Sequence, residues 1–142
     1  MANAGTVYRI GSITKQFTSA AIMRLIERGK LSLDDPMSKY LPDVPLHGHT
    51  VTIRQLLNHT SGIHSYTSDP EWQKTWSRDL RPRQIVGFVD KDTFDFAPGT
   101  AWRHNNTGYV LLGMIIEKIT GESYANYLQH DLFTPLGLRH TS

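Results

Sequence analysis

Thr107 to Ile119 is the segment that most narrows the folds open to this chain. Its apolar residues Tyr109, Leu112, Ile115, Ile116 and Ile119 recur at helical spacing along one side, and Gly121 marks the stop. That period is not the alternation of a strand, and the other segments agree with it. Residues 12–28 read as a helix through Phe17, Ala20, Ala21, Ile22, Leu25 and Ile26, stopped by Gly29. Thr52 can cap a helix over 53–57, which Thr60-Ser61-Gly62 breaks. Pro82 opens a helix to about Val89, and Ser123 caps a last one to about Phe133, closed by Pro135 and Gly137. Between these, Leu31 to Pro36 turns into a short helical stretch ending near Leu41-Pro42, and Asp95 to Gly99 is a turn. His64 to Arg81 reads as loop with one helical turn, where Trp72 and Trp76 are packing residues. Strand signal is confined to residues 6–10.

With 142 residues, 39% of them hydrophobic, and no repeat, low-complexity tract or linker, the expectation is one domain over residues 1–142 with a real core. A net charge of +2, with basic residues scattered among acidic ones, excludes a nucleic-acid or membrane-surface footprint. No apolar run is long enough to span a bilayer, and residues 1–5 lack a basic stretch followed by an apolar one, so no export signal is expected. The absence of cysteine rules out disulfides, thiolate zinc sites and a cysteine nucleophile. Seven histidines without a metal-ligand spacing leave no cofactor to expect, and Asp34-Asp35 before Pro36 reads as a turn.

Chemistry enters at Ser12-Ile13-Thr14-Lys15, behind Gly11 and at the start of the first long helix. Residues three apart share a helix face, so Lys15 can lie beside the Ser12 hydroxyl and, when desolvated, act as a base toward it. The helix start adds a positive dipole end, which stabilises charge developing on an attacked carbonyl oxygen. A second constellation, Pro98 to Tyr109, is a loop dense in hydrogen-bonding groups ahead of the apolar helix. Taken alone, Asn106 or Thr107 there caps the helix, and His104 is a surface residue.

Taken together, the motifs change that reading. Tyr8-Arg9-Ile10-Gly11-Ser12-Ile13-Thr14-Lys15-Gln16-Phe17, Leu33-Asp34-Asp35-Pro36, Leu56-Leu57-Asn58-His59-Thr60-Ser61-Gly62, Pro98-Gly99-Thr100, Asn106-Thr107-Gly108-Tyr109 and Pro135-Leu136-Gly137-Leu138 occur in order over nearly the whole chain. In this the chain resembles the serine β-lactamase and penicillin-binding-protein superfamily, specifically the class C-like group with the D-aminopeptidases and family VIII carboxylesterases. The resemblance implies Ser12 as the acylated nucleophile, Lys15 as its partner, and Asn106 as the Asn of a Tyr-x-Asn element. The Tyr of that element falls on His104, so the resemblance makes this imidazole, in place of the phenol, a candidate catalytic base that takes a proton from Ser12 or relays one to a leaving group.

A third motif of the family, on a sheet strand that also supplies an oxyanion-hole N–H, has no counterpart here. His59-Thr60-Ser61-Gly62 matches the family's helix-ending segment instead, and Lys118-Ile119-Thr120-Gly121 is a helix end. The expected fold is therefore mainly α, the helical lobe of the α/β serine β-lactamase/transpeptidase-like fold with most of the sheet missing. Two functions follow. One is a serine hydrolase acting on a lactam, peptide or ester through acyl-Ser12, weak or inactive alone. The other is a non-catalytic helical domain that binds a partner or forms a homodimer, including a domain-swapped one. The resemblance implies a small-molecule or peptide substrate, no cofactor, and a bacterial periplasmic or exported location.

Overall fold

The helix that stands out in the sequence is also the centre of the packing. α5 (Thr107–Thr120) touches α1 (Thr14–Glu27), α2 (Ile53–Leu57), α4 (Pro82–Val86) and α6 (Tyr124–Leu128), while α3 (Pro70–Thr75) lies to the outside. These elements belong to a computed structural model that describes residues 3, 6–75, 77–89 and 94–141. Leu111, Leu112, Ile115 and Ile116 of α5 are fully buried, each worth about 1.5–3 kcal/mol of transfer free energy. Tyr109 and Ile119, expected on the buried face, are only half-buried. With neighbours on several sides, the buried sector is wider than a single stripe and centres on these four residues.

α1 presents Thr18, Ala21, Ile22 and Leu25 to this core, and Phe17 meets Phe133 edge to face at 5.2 Å. Its far end is held by Asp131, which accepts hydrogen bonds from Arg24 Nε at 2.7 Å and Arg28 at 2.5 Å. Asp131 stands on a π-turn, Gln129–Phe133, so the last expected helix is α6 followed by a wider turn. Two expected caps are present. Thr52 accepts the Gln55 N–H while the Gln55 side chain accepts the Thr52 N–H, and Ser123 accepts the Asn126 N–H. The short stretch expected before Leu41-Pro42 is a 3-10 turn, Met37–Lys39; the helical turn expected in 64–81 is a 3-10 turn, Tyr66–Ser68, together with α3; and the helix expected from Pro82 to about Val89 is α4 followed by a 3-10 turn, Gly87–Val89. Trp72 packs edge to face on Tyr66 and Phe88; the expectation for Trp76 lies outside the described residues.

Residues 6–10 correct the sequence reading, because they form no strand. They are irregular, with Val7 84% and Tyr8 63% exposed, and β structure among the described residues is limited to two isolated bridges, Pro36 to Thr52 and Ile63 to Phe94. A strand persists only when a neighbour pairs its N–H and C=O groups, and no described segment lies alongside this one.

Candidate active site

Ser12 sits in a 3-10 turn, Gly11–Ile13, that leads directly into α1. Gly11 takes φ +54°, a conformation that costs glycine little and other residues more, and the turn leaves Ser12 exposed two residues before the helix. Lys15, in the first turn of α1, places Nζ 3.0 Å from Ser12 Oγ and 2.7 Å from Asn106 Oδ1. The same amine lies 5.4 Å from the centroid of the Tyr109 ring. Burial pushes Lys15 below the ordinary lysine value. A neutral Lys15 that donates to Asn106 keeps its lone pair free to accept the Ser12 proton, so this geometry suits a nucleophile and its base.

Asn106 is available because its neighbours do the structural work. Neither Asn106 nor Thr107 caps α5 with its side chain, as the isolated loop suggested. The cap is Asn105, buried, whose Oδ1 accepts the Gly108 N–H at 2.6 Å while its Nδ2 donates to the Ile63 carbonyl. Thr107 donates to the His64 carbonyl at 2.8 Å and accepts the Tyr66 N–H at 2.9 Å. The Asn106 backbone N–H donates to Ser65 Oγ at 3.2 Å and its Nδ2 to Thr67 Oγ1 at 3.1 Å, which leaves Oδ1 turned to Lys15. The partner segment is itself shaped by Gly62, at φ +74°, where a Cβ would stand 2.0 Å from the Phe96 carbonyl oxygen. Asp95 completes the clamp, bonding His64 Nδ1 at 2.7 Å and Arg103 at 3.1 Å.

The profile of the Beta-lactamase family matches residues 2–142. The chain belongs to the Beta-lactamase family. A penicillin-binding protein of Bacillus subtilis (strain 168) is 38% identical, over 96% of this chain and 30% of that protein. A D-stereospecific amidohydrolase from Streptomyces sp. superposes with a TM-score of 0.85 at 41% identity, covering 93% of this chain and 43% of its own. An octameric penicillin-binding protein homologue from Pyrococcus abyssi gives 0.79 at 40%, covering 95% and 32%. The chain thus spans 30% of the length of the first relative and 43% and 32% of the two structures.

Within this Beta-lactamase family chain, His104 stays apart from the Ser12, Lys15 and Asn106 group. It is exposed, and its ring lies 5.1 Å from that of His59, with no hydrogen bond to Ser12 among the described contacts. His59 is half-buried between His104, Trp102 and Tyr109, and its Nδ1 accepts the Asn105 N–H at 3.2 Å. Beside the nucleophile, a cavity of about 450 Å³ runs between α1 and α5, lined by Ser12, Lys15, Tyr66, Asn106, Val110 and Met114 among others. Its walls are mostly apolar, with Ser12, Lys15 and Asn106 among its polar groups. No group of His, Asp or Glu able to hold a metal ion occurs among the described residues. Sequence reasoning missed Ser65, Thr67 and the capping role of Asn105, none of which carries a distinctive spacing.

Proposed function

We propose that this chain carries the acylating centre of a serine hydrolase, with Ser12 as nucleophile, Lys15 as base and Asn106 as the group that orients Lys15. The observation that supports it is one amine bonded at once to Ser12 Oγ and Asn106 Oδ1. Ser12 Oγ attacks the carbonyl carbon as its proton passes to Lys15. The tetrahedral adduct then expels an amine or alkoxide, which takes that proton from Lys15 and leaves an acyl ester on Ser12. Water, deprotonated by the neutral amine, hydrolyses the ester and restores the serine. Developing negative charge on the carbonyl oxygen faces the start of α1 and its positive dipole end. The family's second donor lies on a strand that the described residues do not contain. Loss of one such donor costs on the order of 10²- to 10³-fold in rate, so the Ser12 acyl adduct, read directly by mass, is the quantity to measure.

Lactams, peptides and esters all fit this chemistry. Similarity to the Streptomyces D-stereospecific amidohydrolase makes an activated amide of D configuration the first substrate to try. The cavity's apolar walls suit a hydrophobic acyl side chain. Intact-mass spectrometry after incubation with a β-lactam, a reactive ester and that D-amide tests the assignment: a Ser12 adduct, absent in Ser12→Ala, is the expected result. No mass increase in wild type, or the same increase in Ser12→Ala, would remove it.

A second reading, self-association, rests on exposed apolar groups around the same helix. Met23 on α1 is 43% exposed and Ile13, in the turn that leads into it, 53%, with Val7 and Tyr8 uncovered just before that turn.

A further inference from the structure

His59 belongs to none of the roles assigned so far, yet among the described residues its imidazole is engaged with the backbone of the Asn105-Asn106 pair. It follows α2, takes φ +64°, and holds the loop from both sides: its carbonyl accepts the Arg103 N–H at 3.1 Å and its Nδ1 accepts the Asn105 N–H at 3.2 Å. An accepting Nδ1 is unprotonated, so in the neutral ring the proton sits on Nε2. We propose that His59 is a positioning residue whose neutral Nδ1 sets Asn105, and through it Asn106, against Lys15, so that protonating His59 disengages the Ser12 centre.

The chain of contacts is short. Asn105 is buried and also holds the Gly108 N–H and the Ile63 carbonyl, so it has little freedom to shift alone. Its backbone continues directly into Asn106, whose Oδ1 is 2.7 Å from Lys15 Nζ. Protonation turns Nδ1 from acceptor to donor and sets an N–H against an N–H, which the loop relieves only by moving away. It also adds a positive charge close to Lys15. The groups that face His59 are Lys15 from α1, Tyr109 from α5, and His104 from the loop; Arg103 in that loop is engaged by Asp95. Burial, and then the charges of His104 and Lys15, push His59 below the ordinary imidazole value, so the neutral acceptor prevails at neutral pH and is lost on acidification.

The proposal rests on the acylation reading for its functional consequence, but its geometry is testable without activity. Nitrogen NMR of the labelled full chain across acid to neutral pH is expected to show His59 as the Nε2–H tautomer. The Asn105 amide and the Asn106 side-chain amide should then shift with the His59 midpoint. Fluorophosphonate labelling of Ser12, which Lys15 protonation already lowers steadily with falling pH, should show an additional fall at that same midpoint.

His59→Asn places an amide oxygen where Nδ1 stands, cannot titrate, and suits the left-handed φ. It is expected to keep labelling and the steady decline set by Lys15 protonation, but to lose the additional fall at the His59 midpoint. His59→Phe keeps a ring without an acceptor, and should label about three- to tenfold more slowly at every pH, the measure of one hydrogen bond. Asn105 and Asn106 signals that ignore the His59 titration would overturn the proposal. So would an additional fall that persists in His59→Asn but vanishes in His104→Ala, or wild-type labelling in His59→Phe. Should wild type never label, the acylation reading fails, and the co-titration of the two asparagines alone decides the positioning role.

Discussion

Lys15 concentrates the chemistry of the molecule on a single nitrogen. Desolvation lowers its pKa, so at a given pH more of the amine is neutral than in a solvated lysine, and the neutral form is the base. Ser12 labelling by a fluorophosphonate should therefore rise with pH and level off below the ordinary lysine value of 10.5. Lys15→Ala should cut the labelling rate by roughly 10²- to 10⁴-fold, the usual scale of a lost proton-transfer group. A rate that climbs without a plateau would point to solvent hydroxide rather than Lys15. His104 gives a contrasting expectation. Because its ring meets His59 and makes no hydrogen bond to Ser12, His104→Tyr should leave the acylation rate unchanged, read by the same mass shift. A marked gain in rate would return the Tyr-x-Asn phenol to the centre of the mechanism.

At the scale of elements, two carboxylates hold parts that the core alone does not. Asp131 is buried and joins the π-turn to the C-terminal half of α1 through two arginines that are each more than 40% exposed. Burial raises its pKa, and the hydrogen bonds from Arg24 and Arg28 outweigh that effect, so the carboxylate stays charged. Asp131→Asn should cost about 1.5–3 kcal/mol, the range for hydrogen bonds to charged groups, because the freed arginines can return to water. Urea unfolding measures it. Asp35 accepts Tyr40 Oη at 2.5 Å, the Ser32 N–H at 2.8 Å and Lys39 Nζ at 3.0 Å, which lowers its pKa from 3.8 to about 2. A carboxyl more acidic in the folded state adds stability that is complete above the unfolded pKa and lost as pH falls through the folded one. Unfolding midpoints should therefore drop between pH 3.8 and about 2, and Asp35→Asn should remove that part of the drop. An unchanged acid profile in the variant would show the loss comes from elsewhere.

Taken as a whole, the molecule surrounds α5 but leaves one side of α1 uncovered. Ile13 and Met23 are exposed there, and Val7, Tyr8 and Ile10 are exposed on the segment before it. Apolar surface of this kind is energetically better covered than solvated, and an isologous pair is the commonest symmetric way to cover it. Sedimentation velocity should show reversible dimer or higher assembly with rising concentration, and Ile13→Glu with Met23→Glu should shift it to monomer. A wild-type chain that stays monomeric at the highest concentration would remove self-association from the account. The Pyrococcus abyssi homologue, described as octameric, shows that a relative of this family assembles.

What could be read from the sequence is what depends on neighbours along the chain. Helical periodicity marked α1 and α5, hydroxyl side chains ahead of helical stretches marked the caps Thr52 and Ser123, and a spacing of one turn already brought Lys15 to Ser12. Backbone dihedrals impose those relations wherever the segment is helical. Residues 6–10 show where such reasoning ends, since a strand-like composition forms a strand only if another segment pairs with it. The contact that makes Ser12 and Lys15 into a centre spans a separation of 91 residues, between Lys15 and Asn106. Local preference favoured Asn106 as a helix cap; packing gave that role to Asn105 and turned Asn106 toward the amine. Only the convergence of α1 and α5 on a shared core decided which of two adjacent asparagines would hold the helix and which would hold Lys15.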